Sequence, residues 1–273
     1  MFTLGCDRAY LYAHPERELT SGEILRYDEA LARRAAGVPA QYITEHQEFW
    51  GLDLIVSPAV LIPRPETEHL VETVLELVSA NRLQQDREQM QRTAVFAPQL
   101  RIVDVGTGSG AIALALAREL PTAQIYATDI SFAALEVARA NAARHELTSR
   151  IEFRLSDLLD GFSPASFDFV VSNPPYVGES EEDSVQLEVR KFEPRNAVFA
   201  GPTGLEVIEH MIPQAQAALR PGGWLVFEIS GTIADRVGGL LSSWNQASVR
   251  TDLQGIARVA LAQKVSFSGF FES

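Results

Sequence analysis

The tetrapeptide Asn173-Pro174-Pro175-Tyr176 groups residues able to hold a flat nitrogen. A residue before proline is biased to an extended backbone, so Asn173 turns its side-chain carbonyl outward, where it can accept a hydrogen bond from a planar N–H. The Pro174 carbonyl offers a second acceptor, and the fixed φ of two successive prolines keeps the acceptors spaced. Tyr176 can stack on a flat amide or base. Asn173, Pro174 and Tyr176 are therefore the candidate catalytic residues, and Pro175 joins them in binding the group that carries the nitrogen. The same letters also spell an ordinary Asn-Pro turn at a strand end, so their weight depends on what precedes them.

What precedes them is a glycine-rich loop, Val103-Asp104-Val105-Gly106-Thr107-Gly108-Ser109-Gly110, set where a strand hands over to a helix. Its spacing is G-x-G-x-G. A dinucleotide loop has G-x-G-x-x-G and seats a pyrophosphate on the helix N-terminus. Asp104 would face such phosphates badly, whereas a carboxylate there suits a ligand bearing an ammonium and a sulfonium, which is S-adenosyl-L-methionine. Downstream, Asp129 ends the next strand, where it can accept from both ribose hydroxyls. Asp157 follows the third strand and suits an adenine amino group, with Leu158 packing on the ring. Gly106, Thr107, Gly108, Ser109 and Gly110 complete the expected cofactor set, together with Asn173, which opens on the same crevice. Asp129 and Asp157 could instead serve as helix N-caps. A methyl on a sulfonium is already electrophilic, so positioning and removal of water should carry much of the rate.

These residues need a scaffold. Short apolar runs alternate with helical stretches beyond residue 100: strands over Ile102–Val105, Ile125–Thr128, Ile151–Leu155 and Phe167–Ser172, with helices over Ala111–Leu120 and Phe132–Arg144. Such alternation implies βαβ units and a parallel sheet. A strand over Trp224–Ile229 follows a turn at Pro221-Gly222-Gly223, and Ala247–Leu253 and Ala257–Ala262 read as an antiparallel pair closing the sheet. Upstream, Ser21 can cap a helix through Ile24, Leu25, Leu31 and Ala35 that Gly37-Val38-Pro39 stops. Leu52–Val56 and Val60–Ile62, separated by Ser57-Pro58, suggest a hairpin. Leu70, Val71, Val74, Leu75 and Val78 mark one face of a packed helix, and Asn81–Pro98 reads as a helix end and linker. The expected architecture is α/β: a Rossmann-like methyltransferase sheet, mostly parallel with an antiparallel last strand, behind a small helical domain and a β-hairpin connector. The boundaries fall at 1–44, 45–62 and 63–273.

The 273 residues can bury a full core, and the net charge of −13 would repel a phosphate backbone, which counts against nucleic acid. One cysteine, Cys6, excludes an internal disulfide and suits a reducing compartment. The start lacks a basic region followed by an apolar run, and no apolar stretch approaches the ~20 residues of a membrane span. A cytoplasmic monomer is expected. The five histidines lack metal-type spacing, so no metal site is expected.

Several segments resemble the protein-(glutamine-N5) methyltransferases that modify peptide-chain release factors. The likeness runs through Gln41-Tyr42-Ile43, Glu48-Phe49-Trp50-Gly51, Leu61-Ile62-Pro63-Arg64-Pro65-Glu66-Thr67-Glu68, Asp104 to Gly110, Ser172 to Tyr176 and Phe192-Glu193-Pro194. The Leu61–Glu68 run is the most specific of these, since Asn-Pro-Pro-Tyr is shared with adenine-N6 methyltransferases. The resemblance implies that the nitrogen is the side-chain amide of glutamine in a Gly-Gly-Gln loop of a release factor, with an adenine-N6 activity on nucleic acid as the alternative. It implies a substrate-binding role for residues 1–44. Family members carry a longer helical domain there, so either the module is shortened or the start lies upstream of Met1. Arg64 is a candidate for holding a substrate or cofactor carboxylate, or else it pairs with Glu66 or Glu68. The acidic run Glu179–Asp183 either faces a basic partner or is solvated.

Overall fold

Thr20 and Glu23 start the longest helix of the N-terminal region by capping one another. Thr20 Oγ1 accepts from the Glu23 N–H at 3.2 Å, and the Glu23 carboxylate accepts from the Thr20 N–H at 2.9 Å. The cap is therefore Thr20, one residue before the expected Ser21, because a glutamate three positions on completes a capping box only from Thr20. The computed structural model describes residues 2–89 and 99–266. In this first region α1 (Arg8–Ala13), α2 (Ser21–Ala35) and α3 (Ala40–Thr44) follow in turn. Ile24, Leu25, Tyr27 and Leu31 of α2 are exposed, as is Tyr12.

The hairpin pairs β1 (His46–Phe49) with β2 (Leu52–Ile55) across Trp50-Gly51. Both turn residues have positive φ, 55° and 66°, the backbone that suits the twist of a two-residue hairpin. The sequence pattern puts the hairpin turn at Ser57-Pro58 and the partner strand at Val60–Ile62, and neither forms. Ser57 instead closes a local turn, its carbonyl accepting from the Val60 N–H. Val60 and Ile62 pack irregularly with Tyr42, Val56 and Ala134.

α4 (Glu68–Gln89) buries Leu70, Val71, Val74 and Val78, with Leu75 packed partly against the same core. It ends at Gln89, within the Asn81–Pro98 segment expected to hold the helix end and a linker, and residues 90–98 of that segment lie outside the described residues. There follow β3 (Arg101–Val105), α5 (Ala111–Glu119), β4 (Gln124–Asp129), α6 (Phe132–Arg144), β5 (Ile151–Leu155), β6 (Phe167–Ser172), α7 (Leu187–Phe192), α8 (Arg195–Val198), α9 (Glu206–Ala218), β7 (Leu219–Glu228), α10 (Ala234–Leu240), β8 (Asn245–Thr251) and β9 (Ala257–Gln263). The seven-stranded sheet has the order β5-β4-β3-β6-β7-β9-β8, with only β9 antiparallel to its neighbours. Pro221-Gly222-Gly223 is a bulge within β7 rather than a turn before it: pairing passes from Phe167 opposite Leu219 to Phe169 opposite Trp224.

Strand side chains alternate between two apolar layers. Ile102, Ile125, Phe169 and Val226 meet α4 and α5 on one face, while Val103, Val170, Leu225 and Phe227 meet α9 and α10 on the other. Burial on both faces explains why these strands read as unbroken apolar runs. Chain order reverses between β3 and β6, so the carboxyl ends of this pair flank the switch point at which open α/β sheets bind ligands.

Candidate active site

A cleft of about 420 Å³ opens at that switch point. Gly106, Thr107, Gly108, Ser109, Asp129, Asp157, Leu158, Asn173 and Pro175 line it, together with Ile130 and Ser131. Gly106 and Gly108 have φ of 70° and 55°, and a Cβ on either would meet no protein atom within 4 Å. Their backbones thus face open space that a ligand can approach. Gly110 differs: a Cβ there would stand 2.5 Å from Leu114 Cδ1 and 3.2 Å from Ala138 Cβ. It lets α5 pack on α6 and does not line the cleft.

Two carboxylates shape the loop. Asp129, 9% exposed, accepts from the Gly108 N–H at 2.9 Å and the Ser131 N–H at 2.8 Å. Burial raises its pKa against these bonds. The N-cap of α6 is Ser131, whose Oγ accepts from the Ala134 N–H, so Asp129 is free of that duty and presents its carboxylate to the cleft wall. Asp157 is exposed at the rim in a turn rather than at a helix start. Asp104 lies behind the loop, fully buried. Its Oδ2 accepts from Thr107 Oγ1 at 2.6 Å and from the Ala113 N–H, while Oδ1 has no partner. Burial pushes its pKa up to about 7, with Asp129 adding to the effect and the two hydrogen bonds opposing it. Asp104 does not line the cleft, so the direct contact with a cationic ligand expected of it is not made at the cleft surface; its carboxylate instead holds Thr107 and the start of α5 from behind the loop.

A second cleft of about 440 Å³ adjoins the first, lined by Arg64, Asn173, Pro174, Pro175, Tyr176, Glu228 and Arg258 among others. Leu61, Asn173, Pro175 and Ala197 border both. The Asn173–Tyr176 tetrapeptide therefore stands between the two clefts, with Asn173 and Pro175 facing both and Pro174 and Tyr176 facing the second. Arg64 pairs with Glu193, whose side chain is 1% exposed and which also accepts from the Ile62 N–H at 3.0 Å. Neither Glu66 nor Glu68 holds it: Glu68 accepts instead from the Trp50 N–H. In the acidic run, Glu182 binds Arg195 in two-pronged fashion and Asp183 binds Arg190.

Sequence reasoning had no role for Glu228 or Thr67. Glu228 is 2% exposed and accepts from Thr67 Oγ1 at 2.6 Å and Tyr176 Oη at 3.1 Å. Burial raises its pKa and, with the nearby Glu228 charge, that of Tyr176. The available signal was positional: Glu228 ends a parallel strand beside others whose ends carry Asn173 and Asp129.

Comparison with known proteins places this geometry among relatives. Residues 87–191 match the family model described as methyltransferase small domain, and residues 1–44 match one described as PrmC N-terminal domain. A release factor glutamine methyltransferase of Koribacter versatilis is 53% identical over 97% of this chain and 88% of its own. One of the same name from Rhodopirellula baltica is 36% identical over 95% and 85%. Among solved structures, the hMettl16 catalytic domain in complex with a 3′UTR hairpin shares 16% identity at a TM-score of 0.56, covering 97% of this chain and 94% of that one. That likeness is one of fold alone.

Proposed function

The chain belongs to the release factor glutamine methyltransferases, and from that premise we propose that it methylates N5 of the glutamine in a Gly-Gly-Gln loop, acting as a cytoplasmic monomer. It is a methyltransferase that uses S-adenosylmethionine and acts on a peptide-chain release factor. The observation that carries the finer reading is the shared wall: one tetrapeptide, Asn173 to Tyr176, borders two separate clefts. S-adenosylmethionine supplies an electrophilic methyl carbon. Gly106 and Gly108 would leave room for it, and the Asp129 carboxylate and Asp157 would accept from its sugar and base, with Asp104 buried behind the loop. On the other side, Asn173 Oδ1 and the Pro174 carbonyl accept from the two N–H bonds of the amide, and Tyr176 covers its plane. With the cofactor bound, the N–C bond would form as the C–S bond breaks, its electron pair remaining on sulfur to give S-adenosylhomocysteine, and the nitrogen would lose one proton to solvent.

No helix among the described residues is long and apolar enough to cross a membrane. Arg64 is read here as part of the substrate side, held by Glu193. Residues 1–44 are assigned to docking the release factor, because α2 and Tyr12 leave apolar side chains in solvent. The segment 45–62, which contains the hairpin over His46–Ile55, then connects this module to the catalytic domain at 63–273. A nucleic-acid substrate gains nothing from the structure: a net charge of −13 opposes it.

The experiment is transfer of labelled methyl from S-adenosylmethionine to a purified release factor, followed by peptide mapping. Label on the Gly-Gly-Gln peptide is expected, and Asn173→Ala should lower kcat at least about 100-fold while leaving cofactor affinity within about tenfold. A wild-type protein that binds the cofactor yet leaves that peptide unlabelled refutes the reading.

A further inference from the structure

We propose that Thr67 and Glu228 are positioning residues that fix which end of the Asn173 amide faces the substrate. The argument is one of counting protons. Ionised Glu228 only accepts, so the Thr67 hydroxyl, 2.6 Å from Glu228 Oε2, spends its single proton there. Toward Asn173 it has lone pairs left and nothing to donate. The Asn173 atom 3.0 Å from Thr67 Oγ1 is therefore the NH2 group, which donates. The opposite orientation would set a carbonyl oxygen against a hydroxyl oxygen with no proton between them. Among the described residues nothing else donates to Asn173 Oδ1, which is left at the wall between the clefts.

The same carboxylate accepts from Tyr176 Oη on its other oxygen. One buried group thus holds both ends of the target loop, Asn173 through Thr67 and Tyr176 directly. Resting on the reading that the substrate is a glutamine amide, the arrangement also sets selectivity. A fixed acceptor welcomes an –NH2 and repels a carboxylate, so glutamine is favoured over glutamate. Thr67 reaches this place from the Leu61–Glu68 run, and positioning Asn173 is a task that run performs at the loop.

Two measurements test this. In the first, the Asn173 side-chain NH2 resonance, identified by its loss in Asn173→Ala, is followed by hydrogen exchange in isotope-labelled protein. Slow exchange is expected in the wild type and in Thr67→Ser, and exchange faster by about tenfold or more in Thr67→Val, where the partner is gone. In the second, methyl transfer to a release factor is assayed. Thr67→Val should lose about 10- to 100-fold in kcat with KM and cofactor affinity within about threefold, and Thr67→Ser should restore most of it. Unprotected Asn173 protons in the wild type overturn the proposal, as does a Thr67→Val enzyme with wild-type kcat. If wild-type enzyme labels no release factor, the glutamine reading falls while the exchange experiment still decides the role of Thr67. If Thr67→Val does not fold, the wild-type exchange rate and Thr67→Ala decide it.

Discussion

Asn141 and Ile55 pair as two strand residues would: the Asn141 Oδ1 accepts from the Ile55 N–H at 2.7 Å, and its Nδ2 donates to the Ile55 carbonyl at 2.9 Å. Nδ2 also donates to the Ser109 carbonyl at 2.9 Å. One fully buried amide on α6 therefore ties the hairpin to the cofactor loop.

Removing that amide leaves three backbone groups short of partners in a buried place. Asn141→Ala is expected to destabilise the protein by about 2–4 kcal/mol, read from urea unfolding. Cofactor affinity should fall with it, since Ser109 loses its anchor. Asn141→Asp should be at least as damaging, because a carboxylate cannot donate to either carbonyl.

The glycines of the loop should separate into two kinds. Gly110→Ala drives a Cβ toward Leu114 and Ala138 at a positive φ, so a loss of about 1–3 kcal/mol in stability is expected. Gly108→Ala meets no protein atom. It should cost about 1 kcal/mol of backbone strain and weaken cofactor binding by a larger factor. Melting curves with and without S-adenosylmethionine distinguish the two, and equal effects on both measurements would refute the assignment.

Asp104 should make stability depend on pH. Its folded-state pKa, about 7, lies above the ordinary value of 3.8. The folded state thus holds its proton more tightly than the unfolded chain does. The stability linked to that proton is fully present below about pH 4, is lost as pH rises toward 7, and changes no further above it. The steepest slope from one such group is about 1.4 kcal/mol per pH unit. Asp104→Asn should flatten the profile between those limits relative to wild type. A wild-type and variant pair with parallel profiles would remove Asp104 as the cause.

Local features were legible in the sequence. The glycine loop, the strands beside it and α6 are written in short apolar runs and periodic faces, and the bounds expected for α6, β5 and β6 match. The hairpin was misplaced because Ser57-Pro58 is louder punctuation than Trp50-Gly51, although only the latter pair takes the positive φ that a tight reversal uses. Thr67 and Glu228 were hidden for a different reason. They stand 161 residues apart in the chain, and Asn173 is 106 from Thr67, so only the sheet order brings them together. Arg64 reads either as a holder of a substrate or cofactor carboxylate or as a partner of Glu66 or Glu68, and its ion-pair partner is Glu193, 129 positions away.

Two clefts divided by a single loop also define the shape of an inhibitor. A molecule with an adenosine at one end and a glutamine amide at the other, joined by a short linker over Asn173, would occupy both at once. Each half would raise the local concentration of the other. Its selectivity among enzymes sharing the Asn-Pro-Pro-Tyr loop would come from the half that lies against Arg64 and Arg258.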